Sequence, residues 1–374
     1  MTHLTLNTLE LYARHRRATL DWLLRSIEHG AGGSCAHFSI ALGWSHPYPE
    51  TTGYLIPTLL ANHADLPELG LREHALACGR WLLSIQNADG SWNGGLHPCK
   101  GAPKPSVFNT GQILKGMLAL HRAEAGPEFL NAASRGAEWL ASRAAADGLW
   151  GGGDYRASQT PSYYTHVLWP MLDTWLETGE RSVRDSVERG VATVIARIRP
   201  NGVVAHWGFT DEPRAFTHTM AYALRGLLEC SRILGAWDDI GARTVPALEK
   251  LLRRAELDGG RLAGEFDDDW RPKARYECLT GSVQTAINLL LWEHNEPDLR
   301  IVNAAAKLVD RVCSTQHLTH PLAGVRGAVA GSWPIWGRYM TLRYPNWAAK
   351  YHVDALARLS ARIEREAESA CASS

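Results

Sequence analysis

Apolar residues recur at helical spacing along nearly the whole chain, in two alternating kinds of segment. The first kind carries the tetrapeptides DWLL at Trp22, RWLL at Trp81 and EWLA at Trp139, which lie 59 and 58 residues apart. After Trp81 and Trp139 come NADGSWNGG and AADGLWGGG, whose Asp-Gly and Gly-Gly pairs stop a helix. IRPNGVVAHWG and AELDGGRLAGE continue the same grammar further on. The second kind falls half a period later: ETTGYLIPTLL, FNTGQILKGMLAL, YYTHVLWPML, FTHTMAYALRGLLE, LTGSVQTAINLLLW and PNWAAKYHVDAL. Anchored at Thr52, Thr110, Thr165, Thr217, Thr280 and Asn346, these six repeat at a mean of about 59 residues, the tryptophan period. Thr and Asn are good N-caps, so helix initiation accounts for part of this regularity.

Two matched periods predict an all-α, single-domain (α/α)6 toroid over residues 1–374, with 362–374 as a frayed tail. Amphipathic outer helices alternate with inner helices that are apolar on most faces. Loops of 15 to 30 residues all enter the N-terminal ends of inner helices, so they gather on one face and form a mouth. Helix N-termini bring partial positive charge to that mouth, which favours anionic or oxygen-rich ligands.

Composition narrows the partners. Thirty-nine basic and 39 acidic residues give zero formal net charge, which excludes a broad electrostatic grip on nucleic acid. No apolar run approaches the roughly 20 residues of a membrane span, and the N-terminus reaches charged residues before an apolar stretch develops, so a soluble, unprocessed chain is expected. Seven cysteines without a CxxC pair point to a reducing cytoplasm. Fifteen tryptophans against six phenylalanines supply core filler and, equally, platforms for sugar rings.

QNADGSWNGG resembles the repeat of the squalene–hopene cyclase and protein prenyltransferase superfamily, which builds α/α toroids. SHPYPETTGYLIPTLL, VFNTGQILKG, FTHTMAYALRGLLE, ECLTGSVQTAI and GSWPIWGRYMTLRYPNWAAKYHVDAL are similar to a toroid family encoded in bacterial surface-polysaccharide gene clusters. That resemblance implies a role in making or trimming a glycan and supplies no reaction.

Several side chains are candidates for chemistry. Glu50 stands in the first turn of an inner helix, flanked by Trp44, His46, Tyr48 and Tyr54; it reads as a catalytic carboxylate or as a carboxylate capping its own helix. Asp267 to Asp269, just before Trp270, offer a second carboxylate for glycosidic-bond hydrolysis, or a solvated loop. His166 and His218 open adjacent inner helices, with Tyr164 and Tyr222 nearby, and suit proton transfer near neutral pH. Asn109, Gln112 and a cation such as Arg338 or Lys350 would hold a uronate carboxylate for elimination or epimerisation. Trp333, Trp336, Tyr339, Asn346 and Trp347 complete the candidate substrate contacts, or close the ring by packing. No metal or cofactor is expected, although Cys278, His218 and an Asp from 267–269 could mimic the zinc triad that the prenyltransferase resemblance implies.

Three functions follow. The first is a carbohydrate-active enzyme, a glycosidase or a uronate lyase or epimerase, whose partner is a glycan or glycosylated small molecule. The second is a terpenoid cyclase or prenyl-transfer enzyme, for which EFDD only approximates the DxDD proton-donor motif because Glu265 replaces its first Asp. The third is a non-catalytic glycan-binding assembly factor.

Overall fold

The computed structural model describes residues 6–99, 101–153 and 158–372. Twelve α-helices alternate among them: α1 (Leu6–His29), α2 (Pro49–Asn62), α3 (Leu71–Ser84), α4 (Val107–Arg122), α5 (Pro127–Arg143), α6 (Thr165–Thr178), α7 (Arg181–Ala196), α8 (Thr217–Leu234), α9 (Val245–Leu257), α10 (Leu279–Asn295), α11 (Leu299–Cys313) and α12 (Asn346–Ala372). The even-numbered helices pack side by side in chain order, and α12 returns to α2, so they form a closed inner ring. The odd-numbered helices surround it: α3, α5, α7 and α11 lie chiefly against the inner helix that precedes each, α9 lies against α11 and α10, and α1 packs on α12 and seals the circle. This is the expected (α/α)6 toroid.

Burial explains the division of labour. From Thr217 to Ser231, α8 has no exposed residue, as a helix ringed by others requires, whereas α11 buries Ile301, Val302, Ala305, Leu308, Val309 and Val312 on one stripe. Each large apolar side chain so buried contributes roughly 1.5–3 kcal/mol.

The turns after the outer helices are built alike. Asp89, Asp147 and Asn201 accept the backbone N–H two residues on, an Asx turn, at 3.1, 3.0 and 3.2 Å. Trp92 and Trp150 then donate Nε1–H back to Leu82 and Leu140 of the helix just ended. Gly90 takes φ +93°, and a Cβ there would sit 2.5 Å from the Arg135 carbonyl oxygen of the next outer helix. Gly327 makes the equivalent approach to Ala18 of α1, across the closure.

Two expectations change. The anchoring threonines are not N-caps, since the cap positions fall at Tyr48, Ser106, Tyr164, Phe216 and Cys278. Instead Thr52 and Thr110 accept the backbone N–H of Ser34 and Trp92, each 18 residues earlier, and pin the loop to the inner helix. Residues 362–372, expected to fray, continue α12: Ile363 is buried and Arg362 pairs with Glu293 at 2.9 Å. Residues 373 and 374, the end of the expected tail, lie outside the described ones.

Candidate active site at the mouth of the toroid

Short strands stitch the loops together above the inner-helix N-termini: β1 (His37–Ser39), β2 (Gly43–Trp44), β3 (Arg214–Phe216), β4 (Glu265–Asp267), β5 (Glu277–Cys278), β6 (Ser332–Trp333) and β7 (Arg343–Pro345). β1 pairs with β7 and so joins the first loop to the last; β3 pairs with β4, and β5 with β6. They rim a cavity of about 420 Å³, within the range of small-molecule sites.

Its walls are aromatic. Phe108, Tyr163, Phe209, Phe216 and Tyr339 follow one another at centroid distances of 5.5, 5.5, 5.9 and 5.2 Å, and Trp347 donates Nε1–H to the Tyr339 hydroxyl at 2.8 Å. Tyr48 and Phe216 occupy the N-cap positions of α2 and α8, so each projects where its loop becomes helix. Arg338 lies 5.7 Å from the Phe216 ring and 3.4 Å from buried Glu265, which also accepts from the Tyr276 hydroxyl and faces Arg214 at 3.5 Å.

The floor is polar. Glu50, the second residue of α2 after Pro49, is buried in the first turn, where the helix dipole favours a negative charge. His218, second in α8, has Nδ1 2.9 Å from Gln284 Oε1. A carbonyl oxygen only accepts, so Nδ1 carries the proton and Nε2 the lone pair. Burial pushes this imidazole down to about 4, with Gln284 opposing, so the ring is neutral at pH 7. Tyr222, 4.3 Å from His218 between ring centroids, is held well above the ordinary phenol range by burial and by Tyr351, Tyr54 and Glu50.

The structure therefore brings Glu50, His218, Tyr222, Tyr48, Arg338, Tyr339 and Trp347 to one cavity. A second set supports that layer from behind. His166 stacks on Tyr222 at 4.1 Å and its Nε2 meets the Tyr351 hydroxyl at 3.0 Å; burial, then Lys115, drives its basicity well below the usual imidazole value. Tyr54 is buried beneath Glu50 and packs on Tyr351. Tyr164 is wedged between Phe108 and Trp150. Asn109 spends its amide on the Asn93 carbonyl, and Gln112 donates to the His166 carbonyl and accepts from Lys115, so neither is the substrate contact expected of it.

The remaining candidates are displaced. Asp267 is held by the backbone N–H groups of Asp269 and Arg271 and by Lys273; Asp268 pairs with Arg199 and Asp269 with Arg271. This turn aims the acidic run into a solvent groove with Arg214, so neither the carboxylate pair nor the zinc triad is assembled. Trp270, at φ +62°, is buried against Trp207 with Nε1 on the Asn201 carbonyl. Trp44 and His46 line a different groove, where Trp44 packs on Trp22, Phe38 and His29. Trp333 is taken up by β6 and the core beneath it, Trp336 is exposed, and buried Asn346 bonds Ser34 across the ring closure. Phe108, Phe209, Phe216 and Met340 escaped the sequence reading. The available signal was an aromatic residue at the N-cap of inner helices, seen at Tyr48, Tyr164 and Phe216.

No protein-family model matches the chain. Solved structures similar to it are an unsaturated glucuronyl hydrolase from a Bacillus species (18% identity, 93% of this chain and 96% of that one, TM-score 0.75) and cellobiose 2-epimerases from Bacillus thermoamylovorans (12%, 95% and 100%, 0.74) and Spirochaeta thermophila (16%, 97% and 100%, 0.73). At these identities the likeness defines the class, an (α/α)6 toroid, and nothing finer. In sequence, the chain is 28% identical over 140 residues to labda-7,13-dienyl diphosphate synthase of Streptomyces clavuligerus. That match spans 37% of the chain and only 21% of the relative's length.

Proposed function

We propose that the protein is a carbohydrate-active enzyme that transfers protons at a sugar held in the mouth cavity, an epimerase or an eliminase acting beside a carbonyl or carboxylate. The observation that carries the reading is the pairing of aromatic walls with a floor of Glu50, His218 and Tyr222. A sugar ring is amphipathic in this sense: its C–H faces lie on aromatic rings while its hydroxyls need donors and acceptors at the edge. His218 Nε2, its tautomer set by Gln284, takes one proton and becomes an imidazolium that the Glu50 carboxylate balances; the Tyr222 hydroxyl gives one proton to the opposite face or to the leaving oxygen, and both groups reset by exchange with solvent; Arg338 receives the anionic group. Glycosidic hydrolysis by a carboxylate pair is disfavoured because Asp267 and Asp269 face solvent. Similar folds bear the names glucuronyl hydrolase and cellobiose epimerase; the surface-polysaccharide resemblance supports a bacterial cell-surface glycan as the substrate, and the free buried thiols support a reducing compartment such as the cytoplasm.

The diterpene-synthase match and the aromatic belt favour a second reading, cyclisation of a prenyl diphosphate started by Glu50 as acid. A polar floor argues against it, since a hydrocarbon chain calls for apolar surface throughout.

Incubation in heavy water with the source organism's polysaccharide and with uronate-terminated oligosaccharides, read by mass spectrometry, separates these. Deuterium uptake without cleavage or an unsaturated uronate product is expected, lost in Glu50→Gln and His218→Gln and kept in Asp267→Asn. Fragments that have gained water would sink the proton-transfer reading, and binding that survives with no product in any arm would make the protein a glycan-binding factor.

A further inference from the structure

Below the floor lies a second chamber of about 450 Å³ that the mouth chemistry does not use. Tyr351 separates the two: its hydroxyl faces His166 above, and its ring carries Lys350 Nζ at 4.2 Å. The lower lining is strongly cationic. Lys115, Arg122, Arg225, Lys350 and Arg358 oppose only Asp173 and Asp354. Glu229 binds Arg225 at 2.6 Å and Arg232 at 2.8 Å, and Glu177 binds Arg122 at 2.6 Å, so including those two acids together with Arg232 leaves an excess of two positive charges. Lys350 has Asp354, but Lys115 and Arg358 have no carboxylate within ion-pair distance among the described residues. Lys115 makes do with Gln112 Oε1 at 2.7 Å and the face of Trp169 at 4.2 Å, the ring that Arg225 also approaches at 5.2 Å.

Cations are often placed to offset the carbonyls at helix C-termini, an effect confined to the last turn. Arg122, the last residue of α4, can serve that end, but the other four do not. Lys115 lies seven residues before the end of α4, Arg225 nine before the end of α8, and Lys350 and Arg358 in the first half of α12. Their mutual repulsion is visible in their chemistry: burial, then Lys350 and Arg225, drive Lys115 well below the usual ammonium range, and Arg225 heads the causes lowering Arg358. Uncompensated charges in a recess are costly unless a counter-charge joins them.

We propose that this lower chamber is a binding site for a small, multiply charged oxyanion, a phosphate or diphosphate group, held by Lys115, Lys350, Arg225 and Arg358. Guanidinium forks match carboxylate and phosphate alike, but cations converging from three helices suit a multiply charged tetrahedral oxyanion better than a singly charged carboxylate. The test is titration calorimetry on the full chain with inorganic phosphate and with pyrophosphate at fixed ionic strength, backed by thermal melting. Saturable binding is expected, tighter for pyrophosphate, and weakened about tenfold or more in both Lys115→Met and Arg358→Ala. The exposed-surface control Arg184→Ala, like Glu50→Gln in the mouth, should bind as the wild type does. If only phosphate binds, the ligand is the free ion rather than a diphosphate. Absence of saturable heat at millimolar ligand, unchanged affinity in both chamber variants, or loss of binding in Glu50→Gln would each overturn the proposal.

Discussion

Pro170 sits inside α6 and strands the carbonyl of His166, four residues earlier, without its helical partner. Gln112 supplies the missing hydrogen bond from α4 at 3.0 Å, which is why a residue expected at the substrate is spent on the scaffold. Gln112→Ala should cost about 1–3 kcal/mol, the price of an unsatisfied buried carbonyl. In a Pro170→Ala background the restored backbone N–H can serve that carbonyl, so the same change should cost less; urea denaturation of the four proteins gives a coupling of about 1 kcal/mol, and strict additivity would refute the assignment. Histidines set the acid response. His15, His37, His166, His218 and His352 are all lowered by burial first, His37 and His218 to about 4 and His352 to about 3. Between those values and the unfolded value near 6.5 the unfolded chain binds more protons, so stability is complete above about 6.5 and lost as pH falls toward 4. Buried Asp173 and Asp310, whose values are raised, oppose this over the acid end but are fewer. Urea midpoints should therefore drop steadily from pH 7 to 4.5, and His218→Gln should flatten that slope by up to about 3 kcal/mol.

At the scale of elements, the repeat was legible because helices, glycine turns and tryptophans recur at a fixed period. Their strain is testable. Gly90→Ala meets both φ +93° and the Arg135 carbonyl at 2.5 Å, whereas Gly151→Ala meets φ +76° and open space. The first should lose about 2–4 kcal/mol and the second about 1 kcal/mol in the same denaturation assay; equal losses would mean that the contact with the next outer helix carries nothing. What periodicity could not convey was the direction of the loops. Asp267 and Glu265 lie two residues apart on β4, yet Glu265 is buried beside Arg338 while Asp267 folds into a turn toward solvent. Residues two apart on a strand share a face, so the difference arises where β4 ends at Asp267 and the turn to Arg271 begins, and the position of β4 itself depends on its pairing with β3, a contact made some 50 residues away. Tyr48, Glu50, His218 and Tyr222 were readable because they sit at helix starts, whose position the repeat fixes. Phe108 and Phe209 were not, since nothing local tells a cavity-facing phenylalanine from a core one.

For the whole molecule, closure of the ring ties the mouth to contacts far from it. Trp22 in α1 donates Nε1–H to the Gly324 carbonyl at 2.8 Å across 302 residues and packs on Trp44 at 5.1 Å. Trp44 packs on Phe38 at 5.3 Å, and Phe38 is the strand partner of Tyr344, three residues before cavity-lining Trp347. An open solenoid would confine damage at one repeat to its neighbours, but here the first and last repeats are neighbours. Trp22→Ala should cost about 3–5 kcal/mol as a core truncation. It should also accelerate amide hydrogen exchange at Phe38 and Tyr344 and weaken ligand binding in the mouth, although Trp22 touches neither the cavity nor its floor. Tyr12 and its bond to Asp310 at 2.7 Å provide the control, because Tyr12→Phe loosens α1 against α11 without reaching β1. If both variants lose stability but exchange at Phe38 and Tyr344 stays at the wild-type rate in each, the closure holds the toroid together without shaping its mouth.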